Sequence, residues 1–308
     1  MNLKNKKILV TGGAGFIGSH TVDALIKKGA RVVVVDNLST GRKENLNPAA
    51  KFYKLNINSS KIEEIIKKEK PEIIYHFAFY VKVPKSVQDP MLDMDCLIGS
   101  IRILKAAREL KNFKKFIFAS SGFLYKDSKN LSIQEGAPID PISPYIIAKR
   151  AVEDYVGFFK NAFGVPYVVM RYTTTYGPRQ TTGAMADYIK KLSQGKQAEI
   201  WGDGTKIRDY LYVKDAVRAN LKALNIKNDY PNPVFNVSTG IETTLNDLYH
   251  KIARLLGKKA KPIYYPDRPS ERMRCAPDAS KIKEELGWKP TVSLDEGLIK
   301  LLKFWHLL

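Results

Sequence analysis

KILVTGGAGFIG, residues 7–18, is the stretch of sequence that decides the fold of this chain. An apolar run suited to a buried strand leads into Gly12, Gly15 and Gly18, and a helical pattern follows. Glycine lets backbone amides approach a pyrophosphate, and the first turn of the next helix offers free N–H groups and the positive end of its dipole. A tight turn that needs glycine for its conformation alone is the competing interpretation.

The second predicted strand, residues 31–36, ends in an acid. Asp36 would accept hydrogen bonds from both hydroxyls of a ribose and would repel a 2′-phosphate, which favours NAD over NADP. Arg42 lies nearby and favours NADP instead, because an arginine can accommodate the 2′-phosphate. Together with the glycine turn, Asp36 predicts an NAD-binding site.

Short apolar runs alternate with helical patterns along the first half of the chain. Further strands are predicted at residues 72–77, 115–119, 167–171 and 234–237, and helices at residues 144–163, 185–194, 214–224, 244–256 and 294–304. Another helical stripe runs through Cys96, Ile103, Ala107 and Leu110. Apolar strands that alternate with helices indicate a parallel sheet covered on both faces. After Arg171 glycines break the rhythm, which indicates a smaller, loop-rich α/β unit.

The chain is basic. Its 308 residues carry a formal net charge of +20, from 51 basic and 31 acidic residues. The basic runs are short and spread out, with no block of about five or six like charges, so we expect no nucleic-acid partner. The surplus would suit an anionic small substrate.

Cysteine and hydropathy patterns narrow the class further. Two cysteines without a CxxC spacing and four histidines without ligand spacing predict neither a disulfide framework nor a metal site. No window reaches the roughly 18 apolar residues of a membrane helix. No signal-peptide pattern opens the sequence, so we expect no membrane partner and a cytoplasmic location.

Tyr145 and Lys149 lie in the helix predicted after Pro144. Residues four apart share a helical face, so the ammonium of Lys149 would lie beside the phenol. A neighbouring cation stabilises a phenolate and lowers its reference pKa of about 10 towards the range of a working base. A surface pair is the alternative, but the glycine turn upstream favours a catalytic base.

Several motifs extend from the glycine turn to the C-terminal part. They are residues 12–18 (GGAGFIG), 36–41 (DNLSTG), 76–78 (HFA), 120–121 (SS), Tyr145 with Lys149, 171–172 (RY), 176–180 (YGPRQ), 201–204 (WGDG), 208–210 (RDY), 268–269 (RP) and Asp278 with Lys281. On these residues the chain resembles the extended short-chain dehydrogenase/reductase family, and within it the NAD-dependent sugar-nucleotide epimerases.

The resemblance implies an α/β fold, with a Rossmann-type doubly wound parallel sheet and a smaller C-terminal α/β substrate domain. We expect the NAD-binding domain to comprise residues 1–172 and about 206–237, and the substrate-binding domain about 173–205 and 238–308. The family also implies a homodimer.

The implied reaction is epimerisation at C4 of a UDP-glucose or UDP-galactose type sugar through a transient 4-keto intermediate. Tyr145 matches the tyrosine that takes the proton of the sugar 4-hydroxyl while C4 gives a hydride to NAD⁺. Lys149 matches the lysine that binds the nicotinamide ribose, and Ser121 the serine that bridges the sugar oxygen and Tyr145. Cofactor contacts are implied for Gly12, Gly15, Phe16, Ile17, Asp36, Asn37, Ser39, Thr40, Gly41, Asn56, Ile57, Phe77, Ala78, Phe79, Cys96, Ala119, Tyr145, Lys149 and Tyr172.

Substrate contacts are implied for Ser121, Thr174, Arg208, Arg268, Glu271 and Cys275. Arginine suits the diphosphate, because guanidinium forms charge-assisted, two-pronged hydrogen bonds. Glu271 falls where the family places an acid for the nucleoside ribose. Cys275 stands at a position that limits bulk beside C2 of the sugar, so N-acetylhexosamines are also expected substrates. A buried small hydrophobe is the alternative for this cysteine.

Other activities of the family stay open to different degrees. A 4,6-dehydratase needs an acid and a base after Ser121, and residues 122–124 (GFL) offer neither. A UDP-glucuronate decarboxylase or epimerase begins with the same oxidation and remains an alternative. So does a catalytically silent NAD-binding protein, because Thr174, Cys96 and Phe79 depart from the usual family residues.

Overall fold

The computed structural model describes residues 1–80, 83–128 and 132–308. Its strands are β1 (Lys7–Thr11), β2 (Arg31–Asp36), β3 (Lys51–Lys54), β4 (Ile73–His76), β5 (Lys115–Ser121), β6 (Tyr167–Tyr172), β7 (Thr174–Tyr176), β8 (Glu199–Trp201), β9 (Ile207–Arg208), β10 (Tyr210–Tyr212), β11 (Val234–Val237), β12 (Thr243–Thr244), β13 (Ile263–Tyr265) and β14 (Arg274–Cys275). Its α-helices are α1 (Phe16–Lys27), α2 (Lys61–Glu69), α3 (Val83–Gln88), α4 (Met91–Arg108), α5 (Pro144–Phe163), α6 (Ala184–Ser193), α7 (Val213–Ala223), α8 (Leu245–Leu255), α9 (Ser280–Leu286) and α10 (Leu294–Phe304).

The large sheet has seven parallel strands in the order β11-β6-β5-β4-β1-β2-β3. The chain runs outward from β1 through β2 to β3, and then returns to β4 on the other side of β1. The carboxyl ends of β1 and β4 therefore border a crevice, with Thr11 paired to His76 across it. Such a switch point is where doubly wound sheets bind ligands. The predicted fold class is confirmed.

Two apolar layers cover the sheet, because its inner strands are buried on both faces. One face packs against α1 and α7, and the other against α2, α4 and α5. Helix α5 carries the predicted base, and its ends follow from the sequence. Ser143 caps its first turn by accepting a hydrogen bond from the Ile146 N–H at 3.4 Å, Pro144 is its first residue, and Gly164 closes it in the left-handed region.

A smaller unit lies beyond β6 and has its own core. It contains the pairs β7–β10 and β8–β13 and the three-stranded sheet β12-β9-β14. Helices α6, α8 and α10 contribute Tyr188, Leu248 and Leu298 to its core.

The predicted domain division remains a prediction. Ile282 and Trp288, which we placed in the smaller domain, pack in the core of the large sheet. Trp288 is held there by a hydrogen bond of 3.0 Å from its indole N–H to the Asp215 carbonyl on α7. The chain therefore returns to the large sheet after residue 275 and leaves it again for α10.

Several elements were not predicted from the sequence. They are the edge strand β3, the short helices α3 and α9, and the short strands of the smaller unit, β7, β8, β9, β10, β12, β13 and β14. Strand β3 lies at the edge of the sheet and none of its residues is buried, so it lacks the apolar run that marks its neighbours. Helices α3 and α9 have 6 and 7 residues, too few to show a helical period. Over the described ranges, no helix has the length and apolar character needed to span a bilayer.

Candidate active site

The glycine turn after β1 forms a cradle that side chains would fill. Gly12 has a φ of 69°, and a Cβ on it would lie 2.7 Å from the Ala78 backbone nitrogen. Helix α1 starts after Gly15 with no side-chain cap and no acid in its first turn. Its first N–H groups are thus left for an anion, as a pyrophosphate requires. This geometry fits the family's dinucleotide.

Asp36 closes the cradle from the end of β2. Its carboxylate is 6% exposed and accepts hydrogen bonds from the Ala14 N–H at 3.0 Å and the Leu38 N–H at 2.8 Å. Burial raises its pKa, and these N–H groups act against the rise. A Cβ on Gly41 would lie 2.9 Å from Asp36 Oδ1, so the following loop folds closely over the acid. A carboxylate accepts about four hydrogen bonds, which leaves capacity for a ribose hydroxyl.

Other predicted cofactor residues border the same crevice. Ala78 follows β4, and its N–H donates to the Thr11 hydroxyl at 3.3 Å. Asn37 and Asn56 lie in the loops after β2 and β3, where their side-chain oxygens accept from the N–H groups of Ser39 and Asn58. The remaining predicted contacts in these loops and at the start of α1 are Phe16, Ile17, Thr40, Ile57 and Phe77.

Tyr172 stays a predicted cofactor contact, and its side chain is bound on the α7 side of the sheet. Its ring packs in the core shared with α1 and α7, and its hydroxyl donates to the Asn220 side chain on α7. Burial raises the pKa of this phenol. The hydroxyl is therefore committed to joining β6 to α7.

Lys149 lies in a nearly closed aromatic environment. Its side chain is 3% exposed, its ammonium donates to the Ala119 carbonyl, and Nζ lies 3.8 Å from the centroid of the Phe79 ring. Burial lowers its pKa to about 7, although Cys96 and Glu153 act in the opposite direction. Lys149 Nζ is also 5.7 Å from the Tyr145 ring centroid, so the predicted pair is brought together.

The expected lowering of the Tyr145 pKa is not found. Burial raises the pKa of this phenol, and the nearby Asp93 and Cys96 raise it further. Phe79 contacts Tyr145 edge to face at 6.2 Å and also lies under Lys149. The structure therefore places the base and its cation together without the stabilised phenolate that we expected.

Asp93 and Ser86 support Tyr145 from α4 and α3, and sequence reasoning missed both. The Tyr145 N–H donates to the Ser86 hydroxyl at 3.1 Å, and that hydroxyl donates to Asp93 Oδ2 at 2.5 Å. Asp93 is 1% exposed, and its Oδ1 has no hydrogen-bond partner among the described residues. Burial raises the pKa of this carboxyl. No motif in the sequence signals this contact.

Ser121, the third predicted catalytic residue, ends β5. Its hydroxyl accepts from the Phe123 N–H at 3.2 Å, which starts a tight 3₁₀ turn. The preceding Ser120 donates to Glu153 on α5 at 2.5 Å. Glu153 forms a two-pronged ion pair with Arg171 on β6, at 3.0 and 2.6 Å.

This buried pair fixes α5 against β5 and β6, and sequence reasoning missed it as well. Glu153 lies on the same face of α5 as Tyr145 and Lys149, as its spacing of eight residues from Tyr145 requires. An acid on the inner stripe of a helix was the available signal.

His76 has a structural role. Its Nδ1 and Nε2 share hydrogen bonds with the Thr11 and Ser100 hydroxyls at 2.6 and 2.8 Å. Complete burial lowers its pKa to about 3, so the imidazole is neutral at physiological pH. It joins β1, β4 and α4 beneath the crevice. Cys96 lies on the same helix, half-buried, and burial raises its thiol pKa to about 11.

The smaller unit brings Arg208 and Cys275 to the end of β5. The two residues are paired between β9 and β14. The Arg208 guanidinium lies 5.3 Å from the Phe123 ring centroid, and a Cβ on Gly122 would lie 3.6 Å from Cys275 Sγ. Both predicted substrate residues therefore face the turn after Ser121. Thr174 starts β7, and its N–H donates to the Asp209 carbonyl at 3.1 Å.

Asp127 attaches the segment after β5 to the smaller unit. Its carboxylate accepts from the N–H groups of Met273 and Arg274 at 3.3 and 3.2 Å. Farther along, the Asp278 N–H donates to the Ile133 carbonyl at 3.0 Å. One wall of the site is thus shared by two distant stretches of chain.

Arg268 and Glu271 lie in the loop between β13 and β14. The Arg268 guanidinium stacks 4.2 Å from the Trp201 ring centroid. Glu271, predicted to meet a ribose, binds the Lys206 ammonium at 2.7 Å and lies 3.8 Å from Arg268. Part of its accepting capacity is thus already used within the protein.

A parallel sheet with a glycine cradle, and with a tyrosine and a lysine at its carboxyl edge, defines a dinucleotide-dependent enzyme that oxidises a hydroxyl group. Residues 8–238 match the NAD dependent epimerase/dehydratase family, and the chain belongs to that family.

Three relatives illustrate the similarity. UDP-glucose 4-epimerase of Mycolicibacterium smegmatis is 36% identical over 311 residues, which cover 97% of this chain and 98% of the relative. The structure of UDP-glucose 4-epimerase of Thermotoga maritima with UDP-glucose is 40% identical, with a TM-score of 0.93 and coverage of 97% and 98% of the two chains. UDP-N-acetylglucosamine 4-epimerase of Methanobrevibacter ruminantium, in complex with UDP-N-acetylmuramic acid, is 32% identical, with a TM-score of 0.90 and coverage of 98% and 99%. The predicted family, NAD cofactor and epimerase class are confirmed.

Proposed function

We propose that this protein epimerises C4 of a UDP-hexose, with UDP-glucose and UDP-galactose as the interconverted pair. The observation that carries the proposal is that Lys149 lies against Tyr145 and binds the Ala119 carbonyl, two residues before Ser121 ends β5. Near relatives with the same activity in their names support it.

The chain's own groups then have separate tasks. NAD bound on the cradle supplies the hydride acceptor and donor. Tyr145 takes the proton of the 4-hydroxyl and later returns it, while the Ser121 hydroxyl orients the sugar oxygen. Because burial raises the Tyr145 pKa, the base needs a positive charge nearby. Lys149 lies 5.7 Å from the Tyr145 ring centroid and supplies that charge in its protonated form, which its pKa of about 7 leaves partly populated at neutral pH. Arg208, beside the turn after Ser121, and Arg268 bind the diphosphate.

The test uses the purified protein. Mass spectrometry should find retained NAD, and chromatography should show UDP-galactose after incubation with UDP-glucose. Tyr145→Phe should retain NAD and lose about 10²- to 10⁴-fold in turnover, the usual contribution of a general base. Tyr155→Phe is the matched control, because Tyr155 is on the same helix and is 39% exposed. Turnover of Tyr145→Phe near the wild-type rate would contradict the proposal.

N-acetylated sugars form a second candidate substrate class. Cys275 is small, 2% exposed and close to the turn after Ser121, where the bulk of an acetamido group would lie. Wild type should therefore turn over both UDP-glucose and UDP-N-acetylglucosamine, and Cys275→Tyr should lose the acetylated substrate first. Strict rejection of the acetylated sugar by wild type would remove this part of the proposal.

The same oxidation opens the route to other products. Incubation with UDP-glucuronate distinguishes them, since a decarboxylase releases CO₂ and a 4-epimerase returns the galacto isomer. A silent NAD-binding protein would retain NAD and change none of the three sugars. We also propose a cytoplasmic location and a role in galactose metabolism, because these follow from UDP-glucose and UDP-galactose as the substrates.

We further propose a homodimer formed by α4 and α5. These helices pack together and expose large apolar side chains at helical spacing: Met94 and Ile98 on α4, and Ile147 and Phe158 on α5, each 41–54% exposed. Several large apolar side chains exposed on neighbouring helices are typical of an interface, and a second copy would cover them symmetrically. Phe158→Asp should give monomers in sedimentation experiments, whereas Ile241→Asp, at a 64% exposed apolar residue of the smaller unit, should not. A monomeric wild type would contradict the dimer.

A further inference from the structure

Lys206 is a buried cation that the proposed reaction does not use. It precedes β9, its side chain is 2% exposed, and its ammonium lies 2.7 Å from both Asp267 Oδ1 and Glu271 Oε2. A lysine is almost never fully buried unless it is paired. Here two carboxylates from one loop satisfy it, so the contact fixes that loop on β9.

The loop held by Lys206 is the one that carries Arg268. Asp267 immediately precedes this arginine, and Glu271 follows it three residues later. Gly202, at a φ of 90°, leaves room for the Asp267 carboxylate, which a Cβ there would overlap. Trp201 stacks on Tyr265 with the ring centroids 5.1 Å apart, and the Arg268 guanidinium lies 4.2 Å from the Trp201 centroid. The orientation of the Arg268 guanidinium is therefore set mainly by its contact with Trp201, since its ion pair with Glu271 is long at 3.8 Å.

Charge gives Lys206 a second effect on Arg268. Glu271 Oε1 already lies 3.8 Å from the Arg268 guanidinium, while its other oxygen is bound by Lys206. Without the ammonium, two carboxylates would be free to pair with Arg268 and would repel an incoming diphosphate. Close carboxylate–guanidinium pairs are strong and two-pronged, so they would compete directly with a phosphate.

We propose that Lys206 is a positioning residue for nucleotide binding: it occupies Asp267 and Glu271 and thereby keeps Arg268 available for the diphosphate of the substrate. This inference rests on the proposed function, because it assumes a nucleotide diphosphate as ligand. Lys206 touches no reacting atom and acts through Arg268.

Calorimetric titration of the NAD-loaded protein with UDP tests the proposal. Lys206→Met should weaken UDP binding about tenfold, the loss of roughly one charge-assisted hydrogen bond. It should raise the KM for the UDP-sugar by a similar factor and leave kcat near wild type. Lys206→Arg should restore most of the affinity, because it keeps the charge. Lys251→Met, at an exposed ion pair with Asp295, is the matched control and should bind UDP normally.

A double-mutant cycle with Arg268→Met separates positioning from general loosening. In the Arg268→Met background, Lys206→Met should cost no further UDP affinity. Independent losses in the cycle, or a fall in kcat with an unchanged KM, would overturn the proposal. Retained NAD reports that each variant is folded, and Lys206→Gln replaces Lys206→Met if the latter loses it. Wild type that binds no UDP would instead overturn the proposed function itself.

Discussion

The ammonium of Lys149 lies 3.8 Å from the centre of the Phe79 ring, inside the core between α5 and the sheet. Phe79 thus takes two roles, since it also contacts Tyr145 edge to face. An aromatic face attracts a cation but does not replace its lost hydration. Burying the charged form of Lys149 therefore lowers the free energy of unfolding, and the size of this effect depends on pH.

Stability should rise with pH because of Lys149. Its pKa is about 7 in the folded protein against an ordinary value of 10.5, so between these values the unfolded chain binds more protons. The free energy of unfolding, compared with that of Lys149→Met, should therefore increase as pH rises from about 7 to 10.5. The gain should be a few kcal/mol, since one pKa unit is worth about 1.4 kcal/mol. Urea unfolding of both proteins across this range measures it, and a flat difference would contradict the burial effect.

Glu153→Gln should destabilise the protein by about 3–5 kcal/mol, because it leaves the Arg171 guanidinium buried without its countercharge. Asp154→Asn is the matched control on the next residue of the same helix. Its ion pair with Arg150 is exposed, so the expected loss is below about 1 kcal/mol. Thermal and urea unfolding compare the two variants. Equal decreases in the free energy of unfolding would show that the buried ion pair contributes no more to stability than the exposed one.

Gly12→Ala should lose NAD retention and about 1–2 kcal/mol of stability or more, because an alanine at φ 69° is strained and its Cβ would meet the Ala78 backbone at 2.7 Å. Gly136→Ala adds a Cβ in open space at ordinary φ and should stay within about 0.5 kcal/mol of wild type. Mass spectrometry for NAD and melting curves give the two readouts. Gly12→Ala with full NAD content would exclude the cradle as the pyrophosphate site.

Asp93→Asn should move the pH dependence of kcat to lower pH. The Asp93 charge raises the Tyr145 pKa, so its removal lets the phenol ionise at lower pH, by about one unit for a nearby charge. Asp95→Asn, two residues along the same helix, should leave the profile unchanged, because Asp95 is not among the groups that shift the Tyr145 pKa. An upward shift for Asp93→Asn, or equal shifts for both variants, would contradict this role.

Much of the fold was predictable because buried parallel strands carry unbroken apolar runs. Strands β2 and β11 and helices α5 and α10 match their predicted bounds residue for residue. The half-exposed edge strand β3 has no such run and was missed. The hydrophobic pattern of a sequence thus indicates which elements are buried, and it misses elements that bury few apolar residues.

The site was predictable only where a motif marks it. The spacing of Tyr145 and Lys149 predicted their contact, which the structure confirms. The predicted direction of the Tyr145 pKa shift was wrong. The shift depends on how deeply Phe79 and α4 bury the phenol, and sequence spacing does not show this burial. Lys206 and Asp93 find their partners through the folded chain, so no local pattern announced them.

The attachment of Asp127 to Met273 and Arg274 has a consequence for biosynthesis. These partners are 146 and 147 residues apart in sequence, and the wall that they build includes Cys275. Domains emerge from the ribosome N-terminal end first, so the sheet and its glycine cradle are translated long before that wall. A nascent chain halted before residue 273 would have the cradle but no closed sugar pocket.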